Sequence, residues 1–311
     1  MKKTTLVIVS IISTAVVGVI IYALFGGTLP SNTKTTKEQT IANNRIDSTS
    51  STTSPSPLNN PTVDTTKTII GSSVQKRDIT AYHFGNGANE ILFIGGTHGG
   101  YSWNTTLLAY NIIDYFKANS GAIPKNIKIT VIPVLNPDGL FKVVGTDGRF
   151  SNTDVSTSQS ALVSGRFNAN NVDLNRNFDC KWTSDGIWQK KKVNGGDKVF
   201  SEPESIALKN YVDLHTPSAA IIFYSAAGGV YASSCDKDPS SQTMEILNTY
   251  AKASGYSAYD SYDFYETTGD IANWLATKNV PAISVLLTNH KNTEWQRNLD
   301  GINSLLKYYA H

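Results

Sequence analysis

Short apolar runs closed by glycine or polar residues alternate with longer stretches of helical period over residues 69–311. Glu90-Ile-Leu-Phe-Ile-Gly-Gly96 is one such run, and its unbroken apolar character predicts a strand buried on both faces. Ile127 to Val134 predicts a second strand, with Ile127, Ile129 and Val131 alternating, and Ala219 to Tyr224 and Pro281 to Leu287 predict two more. Asn104 is placed to cap a helix reaching about Lys117, with Leu108, Ile112 and Tyr115 on one face. Ser201-Glu-Pro-Glu204 has the capping-box spacing ahead of Ile206, Leu208 and Tyr211. A helix from about Ser240 to Ser254 stops at Gly255, another surrounds Trp274, and the last carries Trp295, Leu299, Ile302 and Leu306. Asn136-Pro-Asp-Gly139 reads as a turn, and Gly145 to Gly165 as a polar loop. This alternation implies an α/β domain with a largely buried sheet and helices on both faces. Sites in such sheets form past strand ends, where His98, Ser225 and the segment after Leu287 fall.

The first 68 residues have a different pattern. Leu6 to Phe25 carries no charge and follows Lys2 and Lys3, which predicts a transmembrane anchor over residues 1–27, long enough for a bilayer core of about 30 Å, or else a cleaved signal peptide. Residues 28–68 are rich in Ser, Thr, Asn and Pro and read as a flexible linker. The domain that follows, residues 69–311, is then extracytoplasmic, either membrane-anchored or secreted. In that setting Cys180 and Cys235 are either bridged or two free thiols, and no Cys/His spacing supports a zinc knuckle. The formal net charge of +2, with no long Lys/Arg cluster, gives no electrostatic case for nucleic acid.

The densest chemistry lies in Arg166-Phe-Asn-Ala-Asn-Asn-Val-Asp-Leu-Asn-Arg-Asn-Phe178, which holds two arginines, five asparagines and an aspartate. Guanidiniums fixed by short amides suit a rigid grip on an anion such as a carboxylate; the alternative is a polar surface loop. Four tyrosines and Phe264 between Tyr256 and Tyr265 suit a binding rim.

In order, Gly-Gly-Thr-His-Gly-Gly100, Val131-Ile-Pro-Val-Leu-Asn-Pro-Asp-Gly139, Val172-Asp-Leu-Asn-Arg-Asn-Phe178, Ser201-Glu-Pro-Glu204, Tyr265-Glu-Thr-Thr-Gly-Asp270 and Val280-Pro-Ala-Ile-Ser-Val285 resemble the landmarks of the zinc carboxypeptidases, the funnelin-type metallopeptidases. The resemblance covers almost all of residues 79 to 309 and implies a mixed, mostly parallel central sheet flanked by helices. It implies that Asn175 and Arg176 hold a substrate's C-terminal carboxylate, that Arg166 stabilises an oxyanion and that Tyr265 hydrogen-bonds bound peptide. The family binds zinc with a His-x-x-Glu pair and a later histidine, and a glutamate serves as general base. Here His98 is present, but Tyr101 stands where the glutamate ligand belongs, Tyr224 precedes the strand-end Ser225 where the later histidine belongs, and Leu286 takes the general-base position. Ser225 remains open as the equivalent of the later histidine, and His290 is the other histidine near the site, as a rim residue. One imidazole with neutral hydroxyls is a poor zinc set, and leucine accepts no proton. The sequence thus predicts a non-catalytic binder of peptide or cell-wall peptide C-termini, with zinc doubtful; the alternatives are an active zinc carboxypeptidase with an altered ligand set, or a structural surface domain.

Overall fold

The apolar runs become the middle of an eight-stranded sheet in a computed structural model that describes residues 66–311. The expected transmembrane anchor and nearly all of the expected linker lie outside the described residues, and the described part falls within one compact unit. No helix among the described residues is long and apolar enough to cross a membrane.

The strands are β1 (Lys67–Ser72), β2 (Asp78–Phe84), β3 (Asn89–Ile94), β4 (Ile127–Ile132), β5 (Asp185–Trp188), β6 (Lys191–Asn194), β7 (Ala219–Ser225), β8 (Gly229–Ala232), β9 (Ala258–Tyr259) and β10 (Ala282–Leu287). The main sheet runs β1-β2-β4-β3-β7-β10-β8-β9, and β5 and β6 form a separate antiparallel hairpin. Its four central strands, β4, β3, β7 and β10, are mutually parallel, while β2 and β8 join antiparallel on either side. The sheet is therefore mixed and mostly parallel, as expected.

The helices are α1 (Trp103–Ala118), α2 (Pro137–Val144), α3 (Gln159–Ser164), α4 (Pro203–His215), α5 (Ser241–Ser254), α6 (Ile271–Thr277) and α7 (Trp295–Tyr309). Ile91 and Phe93 pack with α1, α5 and α7 on one face, whereas Leu92 and Ile94 pack with α4 and α6 on the other. That two-sided burial explains the unbroken apolar run of β3, each such side chain contributing about 1.5–3 kcal/mol by leaving water. The first strand begins at Lys67, two residues inside the stretch that sequence assigned to the linker.

Several local expectations fail for identifiable reasons. Asn104 lies inside α1, and its side chain instead donates to the carbonyls of Asn289 and Asn292. Asn136-Pro-Asp-Gly139 opens α2: Asn136 Oδ1 caps Gly139 N at 2.8 Å and Pro137 occupies the first helical position, where its missing N–H costs nothing. The expected loop contains α3, capped by Ser158. The capping box is not formed at α4, because Ser201 Oγ turns to Glu202 and Asn177. In α7 Ile302 and Leu306 are buried as expected, but the buried stripe also takes in Asn298, Leu305 and Tyr309 and leaves Trp295 and Leu299 half-buried.

Glu204, in the first turn of α4, is fully buried and accepts from Val74 N (3.2 Å) and Asn168 Nδ2 (3.1 Å). Burial pushes its carboxyl up to about 7, so the folded chain binds a proton there that the unfolded chain releases above the ordinary carboxylate range. Its contribution to stability is therefore complete below that range and declines as pH rises to about 7. Relative to the unsubstituted protein, Glu204→Gln should become progressively more stable between about pH 5 and pH 8, by about 1–3 kcal/mol in total in denaturant titrations. A pH-independent difference would refute that assignment.

Candidate functional site

The ends of β3, β7 and β10 open on a cavity of about 770 Å³ lined by His98, Tyr101, Arg166, Arg176, Tyr224 and Leu286, among others. Parallel register places Leu286 beside Tyr224 and Leu287 beside Ser225, so those two strands deliver adjacent side chains to one wall. His98 follows β3, with its ring 5.3 Å from that of Tyr224. Tyr101 packs against Trp188 (5.0 Å) and His290 (4.6 Å), closing another wall. Asn175, Ser225 and Tyr265 also face the cavity, so every site residue expected from the sequence converges on one place.

The asparagine-rich stretch divides into scaffold and grip. Asn168 Oδ1 accepts from the backbone of Asn170 and Val172, while its amide donates to Glu202 and Glu204. Asn177 Nδ2 donates to the carbonyls of Gly195 and Lys198, and its oxygen accepts from Glu202 N and Ser205 Oγ. These amides hold the loop in place of a regular hydrogen-bond ladder.

The arginines are held differently. Arg166 places Nε and Nη2 on Asp173 Oδ2, both at 2.8 Å, and stacks its guanidinium over Trp188 at 4.5 Å. Asp173 is fully buried; burial pushes its carboxyl up, but the guanidiniums of Arg166 and Arg176 outweigh this and keep it below its ordinary range. Its Oδ1 accepts from Asn175 N at 3.2 Å, so one carboxylate neutralises Arg166 and caps the turn that carries Asn175 and Arg176. Arg176 is also buried, but it donates only to carbonyls: Nε and Nη2 to Ile187 at 3.1 and 2.7 Å, and Nη1 to Asn175 at 2.6 Å. Among the described residues, no carboxylate lies within 4 Å of it, so its charge remains uncompensated by a direct pair.

Two glycines allow this placement. A Cβ on Gly186 would come within 2.8 Å of Arg176 Cδ, and one on Gly269, whose φ is +65°, within 2.5 Å of the Arg176 carbonyl oxygen. Hairpin and rim loop thus close on the arginine from two sides. The Cys180–Cys235 disulfide is formed, and both residues lie near this rim.

Sequence reasoning assigned no role to Asp173, Trp188 or Asp270. Asp270 is buried in the cavity wall and caps α6 through Asn273 N; burial raises its carboxyl above the ordinary range. The signal for Asp173 was present: it is the lone acid between two arginines that must be desolvated together. Trp188 sits on a hairpin whose polar flanks gave no strand period.

Residues 59–301 match the profile of the zinc carboxypeptidase family, and the chain belongs to that family. Among curated relatives, it is 30% identical to murein peptide amidase A of Vibrio campbellii over 46% of this chain and 58% of that protein. It is 28% identical to bacteriocin BCN5 of Clostridium perfringens over 47% of this chain and 15% of that protein, and 33% identical to human carboxypeptidase D over 35% and 8%. The chain therefore spans less than two thirds of the length of each of these relatives. The fold matches thrombin activatable fibrinolysis inhibitor at TM-score 0.63 and 17% identity, covering 78% of this chain and 69% of that one. It matches murein-tripeptide amidase MpaA of Escherichia coli O157 at TM-score 0.53 and 18% identity, covering 79% and 92%.

Zinc is the family's cofactor, and the side chains of His98, Tyr101 and Tyr224 in this cavity do not suit it. Among the described residues, no three His, Cys, Asp or Glu side chains gather as a metal cage. Tyr224 has its hydroxyl committed to Asn175 Oδ1 at 2.8 Å, and burial holds its proton well above the ordinary phenol range. Tyr101 is shifted in the same direction by burial. A neutral phenol is a poor zinc ligand, so of His98, Tyr101 and Tyr224 only His98 is a suitable donor.

Removing the Asp173 carboxylate leaves Arg166 charged and buried. Asp173→Ala should cost about 3–5 kcal/mol in urea unfolding, whereas breaking the exposed Arg149–Asp114 pair with Arg149→Ala should cost under about 1 kcal/mol. Comparable losses in the two variants would contradict the central role of Asp173.

Proposed function

We propose that this chain is an extracytoplasmic protein, membrane-anchored or secreted, that holds the free C-terminus of a peptide, including peptides of the cell wall, without cleaving it. The observation that carries this reading is a buried Arg176 whose donors meet only carbonyls, beside a wall where Tyr224 and Leu286 replace the groups that would bind metal and take a proton. A ligand carboxylate supplies the missing counter-charge, and the planar guanidinium fork suits its two oxygens. Asn175 adds a neutral donor on the same side. Leu286 gives a dry, proton-inert surface at the general-base position, so water there would not be activated. Relatives named for murein peptides support cell-wall peptides as one ligand class.

In calorimetry, a short peptide should bind at least about tenfold more tightly than its C-terminal amide, and Arg176→Ala should abolish that preference. Equal affinities for acid and amide in the unsubstituted protein would overturn the proposal.

A second reading, a zinc carboxypeptidase with an altered ligand set, draws on His98, both of whose ring nitrogens are buried without a hydrogen-bond partner. Protein purified without chelator should contain less than about a tenth of an equivalent of zinc and release no C-terminal residue, if the binding reading is correct. Stoichiometric zinc with release would favour the second reading instead.

A further inference from the structure

Tyr224 does more than vacate a metal position. Its hydroxyl faces Asn175 Oδ1 at 2.8 Å, and the same oxygen receives Ile271 N at 3.2 Å. A backbone N–H can only donate, so the amide atom facing Ile271 is the oxygen, and Tyr224 must donate to it as well. Both lone pairs of Oδ1 are then used, and the orientation of the carboxamide is fixed. Asn175 Nδ2 is left without a protein acceptor among the described residues, on a side chain that lines the cavity with Arg176.

We infer that Tyr224 is a positioning residue: its hydroxyl locks the Asn175 amide so that Nδ2 points to the ligand carboxylate beside Arg176. The substitution that removes a metal donor thus reinforces the anion grip. A neutral imidazole at the same place would donate only in one tautomer and would compete for any metal, whereas a phenol at ordinary pH always carries its proton. Leu286, the strand neighbour of Tyr224, offers no competing acceptor for that hydroxyl.

This inference rests on the reading of the cavity as a carboxylate site, and the test separates the two. Tyr224→Phe keeps the ring in its apolar cluster with Ile222 and Leu286 and removes only the donor. It should weaken binding of the free-acid peptide about five- to tenfold and leave the C-terminal amide unchanged, reducing acid-over-amide discrimination by the same factor. In an Asn175→Ala background it should have no further effect, which a merely structural tyrosine would not satisfy. Discrimination that survives Tyr224→Phe, or equal losses for acid and amide, would overturn the inference while leaving the carboxylate site standing. An unsubstituted protein that binds acid and amide equally would overturn both. If Tyr224→Phe does not fold, Asn175→Asp provides the second reading: a carboxylate can accept from Tyr224 and Ile271 but repels the ligand, so preference should shift to the amide. Retained preference for the acid would overturn the inference.

Discussion

The whole site hangs on the buried carboxylate of Asp173. It must neutralise Arg166, hold the turn that presents Asn175 and Arg176, and remain ionised with no exposure to water. A desolvated ion survives only with strong partners, and here two guanidinium donors and a backbone N–H supply them. Arg166 in turn lies over the ring of Trp188, so the hairpin that carries Trp188 and Ile187 is joined to both arginines. Charge balance then decides what the cavity prefers: Asp173 serves Arg166 directly, and Arg176 retains unused capacity for an anion.

Against that background three other side chains of the cavity wall form a consistent set. Tyr101 is part of an aromatic wall with Trp188 and His290, Tyr224 donates to Asn175, and Leu286 is apolar wall. Each of these three side chains has a packing or hydrogen-bonding role of its own. His98 is the exception. Burial, and then the charge of Arg166, hold its proton affinity well below normal, and it enters the site as a neutral ring.

The central sheet was legible because β3, β7 and β10 are covered on both faces and so must be apolar throughout, a demand that leaves a strong mark in the chain. The flanking strands β1 and β2 left a weaker one, since many of their positions are exposed or only half-buried. Helix starts were misread where a side chain had a longer-range partner: Ser201 bonds Asn177, and Asn104 bonds the loop after β10. Of the site, His98, Tyr101, Arg166, Asn175, Arg176 and Tyr265 were visible in the motifs, whereas Trp188 and Asp270 were given no role. The division of labour among the asparagines was not visible, because Asn168 and Asn177 differ from Asn175 only in what the fold brings beside them. The locking of Asn175 by Tyr224 joins positions far apart in sequence and was visible only in the structure.

On the proposed function, the anion side of this cavity binds a ligand carboxylate, and the wall of His98, Tyr101 and Tyr224 holds no zinc. Crystals grown with zinc and a short free-acid peptide, recorded across the zinc absorption edge, test both halves together. The account predicts the peptide carboxylate against Arg176 and Asn175 Nδ2, with no anomalous peak beside His98. A strong anomalous peak bonded to His98, with the scissile carbonyl of the peptide directed toward it, would contradict it.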